Sequence, residues 1–157
     1  MAAQNARQNQ GPPSGARQRI LRIGVLLGGK IVEERLIRER APVTIGQSMR
    51  NTFSIPVEGL PLEFTLFALD EGRYSLRFLP RMDGRLSDSG GQVNTLDALK
   101  SRGAHNHGDY FQVPLTESAR GKLSARRSHD PVHVRCGRRT CRAPTRAASA
   151  WAGAAAR

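Results

Sequence analysis

The segment 43–55 constrains the fold of this chain more than any other. Apolar and polar residues alternate from Val43 to Ile45 and again from Phe53 to Ile55. A period of two is typical of a β-strand that buries one face. Gly46 and a polar stretch that includes Asn51 separate the two runs. The pattern therefore predicts two short strands joined by a turn.

Paired glycines and short turns mark further strands. Gly28 and Gly29 separate the run Ile20–Leu27 from the run Lys30–Arg38. Two glycines between strands predict a tight hairpin, because both can adopt positive φ. More strands are expected at 64–69, at 74–79, after a turn that begins at Met82, at 109–113 and from Gly121. Alternation within the run 74–79 predicts a core face of Tyr74, Leu76 and Phe78 and a solvent face of Ser75 and Arg77.

One short helix interrupts the strands. It is expected over about residues 94–103, because Asn94 or Thr95 can cap its first turn and Gly103 can end it. Strands at roughly ten-residue spacing with a single short helix predict an all-β fold of the sandwich type. The folded domain is expected to extend from residue 20 to residue 123.

The charge of the chain is concentrated at its ends. The chain has 157 residues and a net charge of +12, which would suggest a nucleic acid or an anionic surface as partner. Residues 124–157 contribute +7 and residues 1–19 contribute +3, whereas the span 20–123 carries only +2. The part that can fold is nearly neutral, so nucleic acid is not the expected partner of this domain.

The termini and the apolar runs bear on location. Residues 1–19 are polar and rich in Gln, Pro and Gly, which predicts a disordered leader without a signal peptide. The chain contains no apolar run of 18 residues, so no membrane span is expected. The two cysteines lie outside the predicted domain, and a cytoplasmic location follows as the default.

The tail 124–157 differs in character from the domain. Ala and Arg dominate and Leu and Ile are absent, which predicts a disordered basic tail. Back-translation of residues 125–136 one base later is compatible with Arg-Asp-Val-Pro-Thr-Ile-Leu-Phe-Thr-Phe-Val, a good β-strand. We interpret the tail as the product of a frameshift in the gene or its sequence. On this hypothesis the domain is truncated and lacks its last strand after Leu123.

No metal or cofactor site is expected. The spacing in the tail is His-x3-His-x2-Cys-x4-Cys, and zinc modules place a longer segment between their two ligand pairs. These residues are His129, His133, Cys136 and Cys141. His105 and His107 are expected in a solvated loop.

A string of motifs along 20–123 is similar to one family. The motifs are Gly-Gly-Lys-Ile-Val-Glu-Glu-Arg-Leu-Ile, Val-Thr-Ile-Gly-Gln-Ser, Asn-Thr-Phe, Leu-Phe-Ala-Leu, Met-Asp-Gly-Arg and Ser-Ala-Arg-Gly-Lys-Leu. The domain resembles forkhead-associated (FHA) domains, and in particular the FHA-like cytoplasmic domain of delta-proteobacterial gliding-motility and TonB-like energy-transducer envelope proteins. The resemblance implies a β-sandwich that binds protein partners, with phosphothreonine peptides as the ligands of the wider family.

The phosphothreonine motif is degenerate in this chain. Gln47 stands where the family has an Arg, which removes a charge-assisted grip on phosphate. The family's Ser-x-x-His loop is replaced by a sequence that contains Glu63, whose carboxylate repels anions, and Asp83 replaces an Asn. The resemblance leaves six candidate partner-binding residues, Gln47, Ser48, Asn51, Glu63, Asp83 and Arg85. Phosphopeptide binding is therefore doubtful, and another protein partner of a motility or envelope complex is expected.

Two further classes of function fit the sequence less well. A small basic protein could bind nucleic acid through the Arg-rich tail, but Trp151 is the only aromatic residue there that could stack on bases. An enzyme is not expected, because no nucleophile, base and orienting group occur in a recognisable context.

Overall fold

The computed structural model describes residues 19–56, 58–125 and 132–140, and in this part of the chain it contains twelve strands and one helix. The strands are β1 (Arg19–Leu27), β2 (Lys30–Ile37), β3 (Val43–Gly46), β4 (Phe53–Ser54), β5 (Phe64–Asp70), β6 (Arg73–Phe78), β7 (Asp83–Ser87), β8 (Val93–Thr95), β9 (His105–Asn106), β10 (Phe111–Pro114), β11 (Arg120–Ala125) and β12 (Val132–Thr140). The helix α1 spans Leu96–Arg102. The all-β class expected from the sequence is confirmed.

The strands form two sheets that enclose one core. Sheet 1 has the order β2-β1-β12-β11-β7-β8, and sheet 2 has the order β4-β3-β5-β6-β10-β9. Alternate residues of both sheets are buried in one apolar cluster, as face-to-face packing of two sheets requires. Its fully buried members include Ile23 and Leu123 from sheet 1 and Ile45, Phe53, Phe67, Leu76 and Phe78 from sheet 2.

The Gly-Gly hairpin is confirmed. Gly28 and Gly29 join β1 to β2 with φ angles of 56° and 82°. Glycine adopts such angles without the strain that most other residues would incur there. A β-bulge between Val25 and Leu26 shifts the register near this turn.

Strand β6 confirms the predicted core face and corrects the solvent face. Tyr74, Leu76 and Phe78 are 3%, 0% and 0% exposed. Ser75 lies on the opposite face but is also buried, because its hydroxyl donates to Asp70 Oδ2 at 3.0 Å. The expectation that Ser75 faces solvent is therefore wrong, since a hydroxyl with a partner can be buried at little cost.

The two short strands predicted within 43–55 are confirmed as β3 and β4, and they pair in parallel, with Ile45 opposite Phe53. One turn differs from the prediction. The tight turn that was expected to begin at Met82 ends at Met82, whose backbone N donates to the carbonyl oxygen of Leu79 at 2.9 Å. Asp83 already belongs to β7.

The helix has the predicted caps. Thr95 Oγ1 accepts a hydrogen bond from Ala98 N at 3.2 Å, and Gly103 N donates to the carbonyl oxygen of Leu99 at 3.0 Å. Leu96 is fully buried, so the short helix is stabilised by packing against the sandwich. Asn94, the alternative cap, lies in β8.

The expectation of a disordered tail that leaves the sandwich without its last strand is wrong. β11 continues to Ala125, and β12 lies between β1 and β11, paired antiparallel with both. Val132, Val134 and Cys136 are buried, whereas Arg135 between them is exposed. Arg135 alternates with these apolar residues and so lies on the outer face.

Other predictions for the termini fall outside the described residues. These predictions concern the leader, of which only Arg19 is described, the segment 126–131 and the residues after Thr140. The frameshift hypothesis stays a prediction.

Candidate functional site

Three connections form the region that we call the loop cluster, residues 46–52, 58–63 and 79–82. The first two are joined by backbone hydrogen bonds: Gln47 N donates to the carbonyl oxygen of Pro61 at 3.4 Å, and Ser48 N donates to that of Leu62 at 3.0 Å. Gly46 makes this approach possible, because a Cβ at that position would lie 2.4 Å from the carbonyl oxygen of Leu62. No side chain fits in that space.

Asn51 fixes the same two connections from inside. Its side chain donates from Nδ2 to the carbonyl oxygens of Ser48 and Leu62, both at 2.8 Å. Asn51 is only 8% exposed. Both amide hydrogens are therefore used within the protein, and this predicted partner-binding residue supports the loops from below their surface.

The third connection lies beside the second. Gly59 is so close to Arg81 that an added Cβ would lie 3.4 Å from Arg81 Nη1. Leu60, Leu79 and Met82 are buried beneath this contact. The loop cluster therefore rests on the apolar core at one end of the sandwich.

The exposed surface of the loop cluster is partly apolar. Met49 is 87% exposed and Leu62 is 71% exposed, and they lie on the two connections that Asn51 and Ser48 hold together. Gln47 and Glu63 are also exposed, and Gln47 Nε2 donates to the carbonyl oxygen of Leu60 at 3.3 Å. Exposed apolar side chains on a fixed loop surface are typical of a protein-binding site.

Sequence reasoning did not identify Met49 and Leu62 as candidates. Each is a large apolar residue within a polar connection, Ser-Met-Arg and Pro-Leu-Glu, where no strand alternation accounts for it. A large apolar residue within a polar connection is the sequence signal that could have identified these two candidates. It becomes informative only when the structure shows that neither side chain enters the core.

The remaining predicted residues, Asp83 and Arg85, lie elsewhere. Both are on β7 and line a shallow depression of about 440 Å³ on the outer face of sheet 1, together with Asp97, Lys122 and His133. The six predicted residues thus divide into two groups. Gln47, Ser48, Asn51 and Glu63 belong to the loop cluster, whereas Asp83 and Arg85 belong to the sheet face.

His133 reports a positive environment on this face. Its pKa is lowered, first by burial and then by the charges of Lys122 and Arg135. Its Nδ1 atom is buried and has no hydrogen-bond partner among the described residues. The thiol of Cys136 on the opposite face of the same strand is buried, and burial raises its pKa to about 12.

Comparison with protein-family models, with curated proteins and with solved structures found no match for this chain. Within the described ranges, no three His, Cys, Asp or Glu side chains are grouped so that they could hold a metal ion. No helix in the same ranges has the length and apolar character needed to cross a membrane.

Proposed function

We propose that this chain is a non-enzymatic, FHA-like protein–protein interaction module that works in the cytoplasm as part of a cell-envelope or gliding-motility machine. The string of motifs along 20–123 supports the family and the setting. The observation that carries the binding role is the exposure of Met49 and Leu62 on two connections held together by Asn51.

The fixed loops support binding for an energetic reason. Association loses free energy when flexible loops and side chains become ordered at the interface. Hydrogen bonds from Asn51 and Ser48 already order the backbone of the loop cluster in the free protein. A partner that covers Met49 and Leu62 therefore gains apolar burial without ordering this backbone again.

Recognition of phosphothreonine is not part of this proposal. Gln47 replaces the Arg of the family and donates to the carbonyl oxygen of Leu60, while Glu63 adds an exposed carboxylate nearby. Asn51 uses both amide hydrogens inside the protein. The proposed ligand is an apolar protein segment.

The binding surface can be tested by selection of peptides on the full chain and measurement of their affinity for variants. Met49→Ser/Leu62→Ser is expected to weaken the selected peptides at least tenfold, because both apolar contacts are lost. The matched control is Ile31→Ser/Val93→Ser, which removes two side chains of 57% and 60% exposure outside the loop cluster. Equal affinity of the selected peptides for the wild type and for Met49→Ser/Leu62→Ser would exclude the loop cluster as the binding surface.

A second test concerns phosphate. Titration calorimetry is expected to show less than a tenfold preference, about 1.4 kcal/mol, for phosphothreonine peptides over unphosphorylated ones. The measurement is repeated with Arg85→Gln/Lys122→Gln, which removes two cations of sheet 1. A larger preference that persists in this variant would show that the loop cluster binds phosphate despite Gln47.

A further inference from the structure

Three cations lie side by side on the outer face of sheet 1. Lys122 on β11 is directly opposite Arg85 on β7 and directly opposite Arg135 on β12. Arg120 lies two residues from Lys122 on the same strand and therefore on the same face. All four residues are exposed. We call these four residues the cation row.

The cation row is unfavourable for the isolated fold. Like charges directly opposite each other in a sheet are destabilising. Among the described residues, the ion pairs join Arg22 to Glu34, Arg35 to Glu33 and Lys100 to Asp97, and none of them includes a member of the cation row. The positive charge of the row is therefore not neutralised by an ion pair in the described part of the chain.

The four cations line one depression of the surface. A shallow depression of about 390 Å³ is lined by all four cations, with Ser87 and Val93 at one side and no carboxylate in its lining. The neighbouring depression shares Arg85 and Lys122 with this one and is also lined by Asp83 and Asp97. An anion in the first depression would thus meet four cations without a carboxylate to repel it there.

We propose that the cation row binds an oligophosphate, an anion with two or more linked phosphate groups. Arginine guanidinium groups bind phosphate oxygens with paired hydrogen bonds, and lysine adds a compact charge. Adjacent strands are about 4.8 Å apart, so the row from β7 to β12 extends over about 10 Å, which suits linked phosphates better than a single one. The bound anion would also offset the repulsion between opposite cations.

The lining of the depression disfavours single-stranded nucleic acid. Proteins that bind single strands stack bases on aromatic side chains. The depression is lined by Arg, Lys, Ser, Val, Gly and Cys, and it has no aromatic residue. The phosphate groups themselves are therefore the recognised chemistry, whether they belong to a free oligophosphate, a nucleotide or a phosphorylated lipid headgroup.

His133 provides a local reporter of binding. It lies two residues from Arg135 on β12, and Lys122 and Arg135 both contribute to its lowered pKa. An anion over these cations weakens their effect on the imidazole. The pKa of His133 is therefore expected to rise when oligophosphate binds.

The test is titration calorimetry of the full chain with inorganic triphosphate at low salt. Arg85→Gln/Lys122→Gln is expected to weaken binding at least tenfold. Arg38→Gln/Arg102→Gln is the matched control, since it removes the same charge from two exposed positions outside the depression and is expected to change affinity less than threefold. Equal losses in both variants would overturn the proposal, because they would indicate attraction by net charge alone.

Further arms distinguish the sources of the phosphates. The ligands of these arms are a nucleoside triphosphate and vesicles that contain a multiply phosphorylated lipid. Binding of either one with the same dependence on Arg85 and Lys122 supports the site and identifies the source of the phosphates. Tight binding of a single-stranded oligonucleotide with no binding of triphosphate would overturn the proposal. If Arg85→Gln/Lys122→Gln fails to fold, NMR titration of His133 in the wild-type protein decides: a raised pKa with triphosphate supports the site, and an unchanged pKa overturns it.

Discussion

The loop cluster and the cation row differ in whether their polar side chains have partners within the protein. In the loop cluster, Asn51 is buried and both of its amide hydrogens are bonded to backbone carbonyls. In the cation row, three exposed cations lie opposite one another with no ion pair to a described carboxylate. The first arrangement stabilises the fold, and the second destabilises it.

This difference distinguishes side chains that stabilise the fold from side chains that are proposed to bind a ligand. A buried polar side chain that donates its hydrogen bonds inside the protein stabilises the fold, and its removal loses those hydrogen bonds. Cations held close together without a partner have no such structural role, and repulsion that is retained in a fold is expected where a ligand relieves it. Substitutions in the two regions should therefore change stability with opposite sign.

The largest expected effect concerns Cys136 on β12. It bears on the comparison because Arg135, on the same strand, belongs to the cation row only if β12 lies in sheet 1. Burial raises the pKa of this thiol from 9.0 to about 12, so the reactive thiolate at pH 8 is roughly a thousandfold less abundant. In Cys141→Ser, where Cys136 is the only thiol, reaction with a disulfide reagent should be slowed at least a thousandfold relative to the urea-unfolded chain. Comparable reaction rates in the folded and unfolded chain would show that β12 does not lie in sheet 1.

The same pKa shift predicts a dependence of stability on pH. A thiol whose pKa is raised by folding contributes its full share of stability below pH 9 and loses it as the pH approaches 12. The free energy of unfolding of the Cys141→Ser variant should therefore fall between pH 9 and pH 11 more than that of Cys136→Ala/Cys141→Ser. Parallel curves would indicate that Cys136 is not buried.

The next effect is the loss of stability caused by a cavity in the core beneath the two regions. Leu76 is fully buried between the sheets, and Leu76→Ala should lower the free energy of unfolding by about 2–5 kcal/mol. Urea denaturation measures this change. A loss below about 0.5 kcal/mol, the range for surface sites, would show that β6 is misplaced.

Asn51→Ala should have an intermediate effect. It removes two hydrogen bonds, to the carbonyl oxygens of Ser48 and Leu62, each worth about 0.5–1.5 kcal/mol, so a loss of about 1–3 kcal/mol is expected. Asn94→Ala is the matched control, because Asn94 is only half-buried and should change stability by less than about 0.5 kcal/mol. Equal costs for the two variants would contradict the structural role assigned to Asn51.

Local patterns in the sequence predicted some parts of this structure and missed others for physical reasons. The alternation of Tyr74, Leu76 and Phe78 and the turn at Gly28 and Gly29 are encoded within a few residues, and both were predicted correctly. The alternation of Val132, Val134 and Cys136 is equally local. It was missed because the many arginines around it indicated disorder.

The two candidate surfaces depend on contacts that are distant in sequence. Asn51 acts on a carbonyl oxygen eleven residues away, and its type alone does not distinguish a ligand-binding amide from an internal one. Arg85, Lys122 and Arg135 become neighbours only through the order β7-β11-β12. No spacing in the sequence predicts that order, and so the cation row was not foreseen.

The most direct test of the contrast is the free energy of unfolding of Lys122→Gln beside that of Asn51→Ala, each measured by urea denaturation at low and high salt. Removal of the central cation should stabilise the protein by about 0.2–1 kcal/mol at low salt, and the gain should shrink at 1 M salt because the charges are exposed and screened. The loss in Asn51→Ala should not depend on salt. Destabilisation by Lys122→Gln at low salt would contradict the account, because it would mean that the cation row stabilises the fold.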